Sequence, residues 1–192
     1  MPSVLKIATL GHPVLRQVAR PVSREELRGP DLQRFVDDLV ATMRDANGAG
    51  LAANQVHEPI RVCAIEIKNN PRYPYKPNWP LTVLVNPVVT PTTDETFLVY
   101  EGCLSVPNLR GEVRRHAGVR VTGWDRDGND VDFEVKGLTA GTFQHELDHL
   151  DGKVFVDRVE DTRTLTTWGD FERHHMAAFV ERAKAIVAKY GS

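Results

Sequence analysis

The chain has 192 residues, 41% of them hydrophobic and 26% charged, with a formal net charge of −2 at pH 7. That length suits one domain spanning residues 1–192, able to bury a core without disulfide staples, and the near-neutral charge excludes strong nonspecific attraction to nucleic acid. No apolar run approaches the roughly 20 residues needed to span a bilayer, and the first residues lack the basic and apolar regions of a secretory signal or a transit peptide. A cytoplasmic location is therefore expected, with Cys63 and Cys103 as thiols or ligands rather than a disulfide.

In chain order, apolar residues at Leu32, Phe35, Val36, Leu39, Val40 and Met43 predict an amphipathic helix over 31–46, with Asp31 as N-cap and Asn47-Gly48 as its stop. Segments 61–67 and 81–89 are rich in Val and Ile and read as strands. Between them Pro71, Pro74, Pro77 and Pro80 recur at every third position, the period of polyproline II. This insertion, about 68–80, reads as a stiff surface loop pinned by Tyr73, Tyr75 and Trp79; a docking ligand or a wall of a substrate site is the alternative. Segments 113–125 and 131–135 flank Asp127-Gly128 and predict a hairpin.

A second helix is expected over 139–150, ending at Gly152, and a third over 170–190 within a helical tail at about 168–190. Phe171, Ala178, Phe179, Arg182, Ala183, Ile186 and Val187 form the predicted inner face of the third helix. Its Arg173, Arg182, Lys184 and Lys189 read as a solvated face, with a ribosome-facing surface as the alternative. Strands and helices do not alternate regularly, so the fold class is α+β, with mixed or antiparallel sheets packed around a central helix and a C-terminal helix following.

The strongest chemical signal is His145-Glu146-Leu147-Asp148-His149. On a helix, residues four apart share a face, so both imidazoles can reach one cation while Glu146, offset by one position, reaches a water beside it. Two residues are candidates for the third ligand. Glu172 on the later helix would suit a zinc endopeptidase. Cys103, in Glu101-Gly102-Cys103-Leu104-Ser105, would complete two imidazoles and a thiolate with a fourth position open to water. A closed structural zinc clip on Cys103, His145 and His149 would leave Glu146 dispensable. Cys63, within the apolar Val62-Cys63-Ala64-Ile65, suits an inert buried thiol. In Gly48-Ala49-Gly50-Leu51-Ala52-Ala53-Asn54-Gln55, small residues permit close backbone approach and Gln55 offers a neutral amide to a developing oxyanion; a helix C-cap glycine followed by a tightly packed strand, with Gln55 on the surface, is an equal alternative. Leu138, Gly141 and Thr142 precede His145 by seven, four and three residues, so if helical they share its face; the alternative is that Leu138 packs in the core before the helix starts.

The segments 48–55, 101–105 and 144–152, together with Gly11-His12-Pro13-Val14-Leu15-Arg16, resemble the motifs of the peptide deformylases in identity and order, over about residues 4 to 160. The resemblance implies removal of the formyl group from N-terminal formyl-methionine of newly made proteins. It implies one divalent ion on Cys103, His145 and His149, Fe(II) natively with Zn, Ni or Co able to substitute. It further implies Glu146 as the proton carrier and Gln55 with the Leu104 backbone N–H as oxyanion donors. Gly50 would lie beside the substrate backbone, with Ala49, Val99, Leu138, Gly141 and Thr142 around the methionine side chain. Glu101 and Arg110 are expected nearby, Arg110 towards the downstream peptide. The implied partners are nascent formyl-methionyl polypeptides, met at the ribosome in one reading, with no DNA and no membrane, for a monomer or homodimer.

Overall fold

The computed structural model describes residues 2–70, 72 and 74–192. Helix α1 (Arg24–Arg28) starts at a capping box formed by Ser23 and Glu26. Helix α2 (Pro30–Asp45) follows, with Pro30 at its first position and Gly29 as N-cap. The cap thus falls two residues before Asp31, because proline has its φ preset and no N–H to satisfy, which suits it to open the helix. Val36, Leu39, Val40 and Met43 are the buried stripe of α2, as their spacing predicts. The helix stops at Asn47, whose φ of 51° is left-handed, and the chain turns straight into β1 (Gly50–Ala52).

Strands β2 (Val62–Ile67) and β3 (Trp79–Pro91) come next. β4 (Thr96–Cys103) and β5 (Val106–His116) form a hairpin, and β6 (Gly118–Trp124) and β7 (Asp130–Lys136) form another. The segment expected as one strand over 113–125 is therefore two. It breaks at Ala117, where the chain leaves the β4–β5 hairpin and enters a different sheet. The turn at Asp127-Gly128 is as predicted, with Gly128 at φ 85°. One antiparallel sheet has the order β1-β2-β3-β6-β7, and a second joins β4, β5 and the short β8 (Thr166–Thr167).

Helix α3 (Gly137–Leu150) packs between the two sheets. It starts two residues earlier than its spacing suggests, directly off β7. Nearly all of it is buried, so apolar periodicity alone understates its reach. Its end is a Schellman motif: Gly152, at φ 71°, donates to His149 O at 3.0 Å, and Lys153 donates to Asp148 O at 2.9 Å.

The tail is helical in three parts: α4 (Trp168–Asp170), a π-helical turn (Phe171–His175) and α5 (Met176–Tyr190). The π turn shifts the helix phase. Phe171, Phe179, Ala183 and Ile186 face inward as expected, whereas Ala178 and Arg182 are exposed. Arg182 instead lies over the Phe179 ring, 5.7 Å from its centroid, and bonds Glu112. The inward residues join Val99 and Leu138 in one apolar cluster, so the tail backs a strand and a helix of the central layer.

Of the proline-spaced segment, Pro71 and Tyr73 lie outside the described residues. Arg72, Pro74 and Tyr75 are in turns, and Pro80 belongs to β3, so the described prolines do not line one extended edge. Tyr75 packs edge-on against Phe179, and Trp79 against Phe143, which anchors the loop to α5 and α3.

Candidate active site

The site forms where α3 passes the ends of β1 and β4. Cys103 is the last residue of β4, before a two-residue turn at Leu104-Ser105, with Cys103 opposite Val106. A register shift between Glu101 and Cys103 bends the strand there. The N-terminal segment braces both neighbours: Ala8 N–H donates to Gln55 O and Leu10 N–H to Ser105 O, each at 2.7 Å.

The ligand atoms of Cys103, His145 and His149 all lie within 4.8 Å of one another, the group with metal-binding geometry among the described residues. Cys103 Sγ is 3.2 Å from His149 Nε2, which is 3.3 Å from His145 Nε2. Burial pushes the Cys103 thiol up, but His149 and His145 beside it outweigh that and hold it well below the usual thiol range. A thiolate with two imidazole nitrogens is a donor set suited to zinc, iron, nickel or cobalt. Residue Cys63, fully buried on β2, is pushed upward chiefly by that burial, in keeping with an inert thiol.

His145 is held by a chain of charges that is buried up to Arg158 at its outer end. Its Nδ1 is 2.8 Å from Glu101 Oε2. Arg115 grips both oxygens of Glu101, at 2.7 and 2.9 Å, and reaches Asp148 Oδ2 at 2.6 Å. Arg158 bonds the other oxygen of Asp148 at 2.6 Å. Such a carboxylate behind a ligand imidazole fixes its tautomer and orientation. Glu101 thus lines the pocket while its carboxylate is turned to His145 and Arg115. Arg115 and Asp148 were missed at the sequence level: period-two alternation from Val113 points Arg115 inward, yet an arginine seldom reads as a core residue.

Glu146 is 4% exposed and stands against Gly50. Burial raises its carboxyl; His145 and His149 oppose this and the Cys103 thiolate adds to it, with a net upward shift. A carboxyl shifted upward is better matched to proton transfer near neutrality. Gln55, also buried, accepts from Ala52 N–H at 2.8 Å. Its Nε2 donates to Ser105 Oγ at 3.0 Å and approaches Cys103 Sγ at 3.4 Å.

A pocket opens onto this cluster. Ala49, Gly50, Gln55, Val99, Glu101, Cys103, Leu104, Leu138, Gly141, Thr142, His145 and Glu146 line it. His149 lies deeper, fully buried, with its carbonyl held by the Asn54 amide. Arg110 is not on the pocket wall. It is buried behind Gly102, its guanidinium 3.9 Å from the Trp168 ring centroid and 4.9 Å from that of Phe171. Glu172 is exposed on the π turn and outside the cluster, which leaves the endopeptidase reading without its third ligand. Phe97, Tyr100, Gly48, Arg72 and Lys76 also line the pocket. Phe97 was readable, since period-two alternation puts it on the face of Val99 and Glu101. Arg72 and Lys76 come from the proline-spaced segment, which therefore walls the pocket as well as covering surface.

Comparison with known proteins agrees with this geometry. The family model described as polypeptide deformylase matches residues 4–164. A peptide deformylase 2 from Nostoc sp. is 40% identical over 171 residues, covering 89% of this chain and 94% of that protein. The Met-Ala-Ser-bound class I type b peptide deformylase of Acinetobacter baumannii is 41% identical with a TM-score of 0.80, covering 83% of this chain and all of the other. A peptide deformylase from Synechococcus elongatus, in complex with actinonin, is 32% identical with a TM-score of 0.73. That match covers 97% of this chain and 86% of the other. On matches of this identity and extent, the chain belongs to the peptide deformylase family.

Proposed function

We propose that the chain hydrolyses the formyl group from the N-terminal formyl-methionine of nascent polypeptides, releasing formate, with Cys103, His145 and His149 holding one divalent ion. Convergence of these three donors at the floor of a pocket that also holds Glu146 carries the reading. A purely structural metal site would be closed and would not open into such a pocket. The donor set fits a soft-to-borderline cation, and Fe(II) is the proposed native metal. When bound, the ion supplies Lewis acidity towards the formyl oxygen and makes a water easier to deprotonate.

The chain's own groups do the rest. Glu146 takes the proton of the attacking water and returns it to the departing nitrogen. The Gln55 amide and the Leu104 backbone N–H donate to the developing oxyanion. Glu101 keeps His145 in register. Gly50 passes beside the substrate backbone, and Ala49, Val99, Leu138, Gly141 and Thr142 enclose the methionine side chain. The protein acts as a single domain in the cytoplasm; among the described residues, no helix is long and apolar enough to cross a membrane.

The test is formate release from formyl-Met-Ala-Ser by anaerobically iron-loaded protein, beside Glu146→Ala. Release that depends on Glu146 is expected. Equal release by the variant, or none by either, overturns the proposal.

A further inference from the structure

We propose that Lys76 reads the far end of the side chain in the methionine pocket, and that peptides beginning with formyl-methionine sulfoxide are therefore also substrates. Lys76 comes from the loop between β2 and β3, and its ammonium donates to Thr142 Oγ1 at 2.8 Å. Thr142 lies one helical turn before His145, on the same face of α3. The pocket wall around it, Phe97, Val99 and Leu138, is apolar.

An apolar pocket distinguishes methionine from norleucine by shape alone, and sulfur and methylene are close in shape, so little discrimination results. An ammonium in the wall changes that. The thioether sulfur is a weak acceptor, whereas a methylene accepts nothing. A sulfoxide oxygen is a much stronger acceptor, and its burial without a donor would be costly. Burial lowers the Lys76 ammonium to about 8, with Glu101 and Glu146 working against that fall, so it remains mostly charged at neutral pH. The hydrolysis itself is unchanged: water adds across the formyl C–N bond, giving formate and a free amine, and the sulfur keeps its oxidation state.

The inference rests on the deformylase reading and on the methionine side chain entering this pocket. The experiment measures kcat/KM of metal-loaded wild type, Lys76→Met and Lys76→Arg for Ala-Ser peptides headed by formyl-Met, formyl-norleucine or formyl-Met sulfoxide. Wild type is expected to hydrolyse the sulfoxide peptide and to favour methionine over norleucine. Lys76→Met should lower the sulfoxide-to-norleucine ratio by about tenfold or more, the worth of one charge-assisted hydrogen bond, while Lys76→Arg retains it. A loop that merely supports the pocket would lower all three substrates in parallel. Unchanged ratios in Lys76→Met, or a wild type active on formyl-Met and inactive on the sulfoxide, overturn the inference alone. A wild type inactive on formyl-Met overturns the deformylase reading.

Discussion

A Cβ placed on Gly50 would lie 2.4 Å from Glu146 Oε1 and 2.6 Å from its Cγ. The missing side chain on β1 is what lets the Glu146 carboxylate stand in the pocket. Gly50 has no left-handed φ, so the constraint is space rather than backbone conformation. Gly50→Ala should displace the carboxylate by an ångström or so and lower kcat by about 100-fold, because proton transfer depends steeply on geometry. Metal content, measured by elemental analysis, should stay near that of wild type. A variant with kcat within threefold of wild type would show that Glu146 tolerates the shift.

Arg115 is 3% exposed and bonds two buried carboxylates, Glu101 and Asp148. Arg115→Met keeps the bulk and removes the charge, which leaves Glu101 without its bidentate partner behind His145. The expected destabilisation is about 3–5 kcal/mol by thermal or denaturant unfolding. Loss of orientation at His145 should weaken metal retention by about 10–100-fold in a chelator competition. The second readout matters more, since any buried ion pair can affect stability.

The paired histidines were legible because their spacing matches the helical period and nothing in 139–150 breaks a helix. Cys103 was one of two candidate ligands until the ordered set of motifs chose it over Glu172, because a single cysteine near a glycine carries no signal of where its strand runs. The chain of charges behind His145 was not legible: in the β4–β5 hairpin Glu101 pairs with Gly111 and Arg115 with Phe97, so the arginine meets the carboxylate only by reaching along the shared face, and Arg158 arrives from a separate turn. Nor did the spacing disclose the split at Ala117, since the alternation of Val113 continues in phase into Val119 and Val121. Lys76 escaped because a long side chain can reach a pocket from a loop whose path the sequence leaves open.

Gly137 begins α3 at φ 57°, and a Cβ there would fall 1.8 Å from a main-chain oxygen of Ser192. That oxygen accepts the Leu138 N–H at 3.0 Å, capping the first turn of the helix that carries His145. Gly137→Ala meets both a strained backbone and a displaced cap. A loss of about 2 kcal/mol or more in unfolding free energy is expected. Because Leu138 lines the pocket, KM for formyl-Met-Ala-Ser should rise as well. Unaltered stability would mean that the end of the tail moves aside at no cost.

Leu138 itself is 2% exposed, between the pocket and the core formed by Phe171, Phe179 and Ile186. Leu138→Trp is expected to raise KM for formyl-methionyl peptides with metal content intact. An unchanged KM would remove Leu138 from the methionine site. Some loss of stability should accompany the change, since overpacking a filled core typically costs about 1–3 kcal/mol.

Arg44 in the last turn of α2 bonds both oxygens of Glu66 on β2, at 2.6 and 2.9 Å, and so fastens the two elements that flank Gly48 and Gly50. The hydrogen bonds from Arg44 hold the Glu66 carboxyl below the usual carboxylate range, with partial burial opposing them and the charges of Arg44 and Lys68 assisting. A depressed carboxylate stabilises the fold above its unfolded-state value, roughly pH 4.3, and that contribution is lost as pH falls through the lower folded-state value. Arg44→Met should therefore destabilise the protein at pH 7 and do so less at pH 3. The Arg44 side chain is 55% exposed, so solvent screening limits the effect to about 1 kcal/mol or less. Melting curves of both proteins at the two pH values check it: equal differences at pH 7 and pH 3 would assign the loss to packing of the arginine stem instead of to the ion pair.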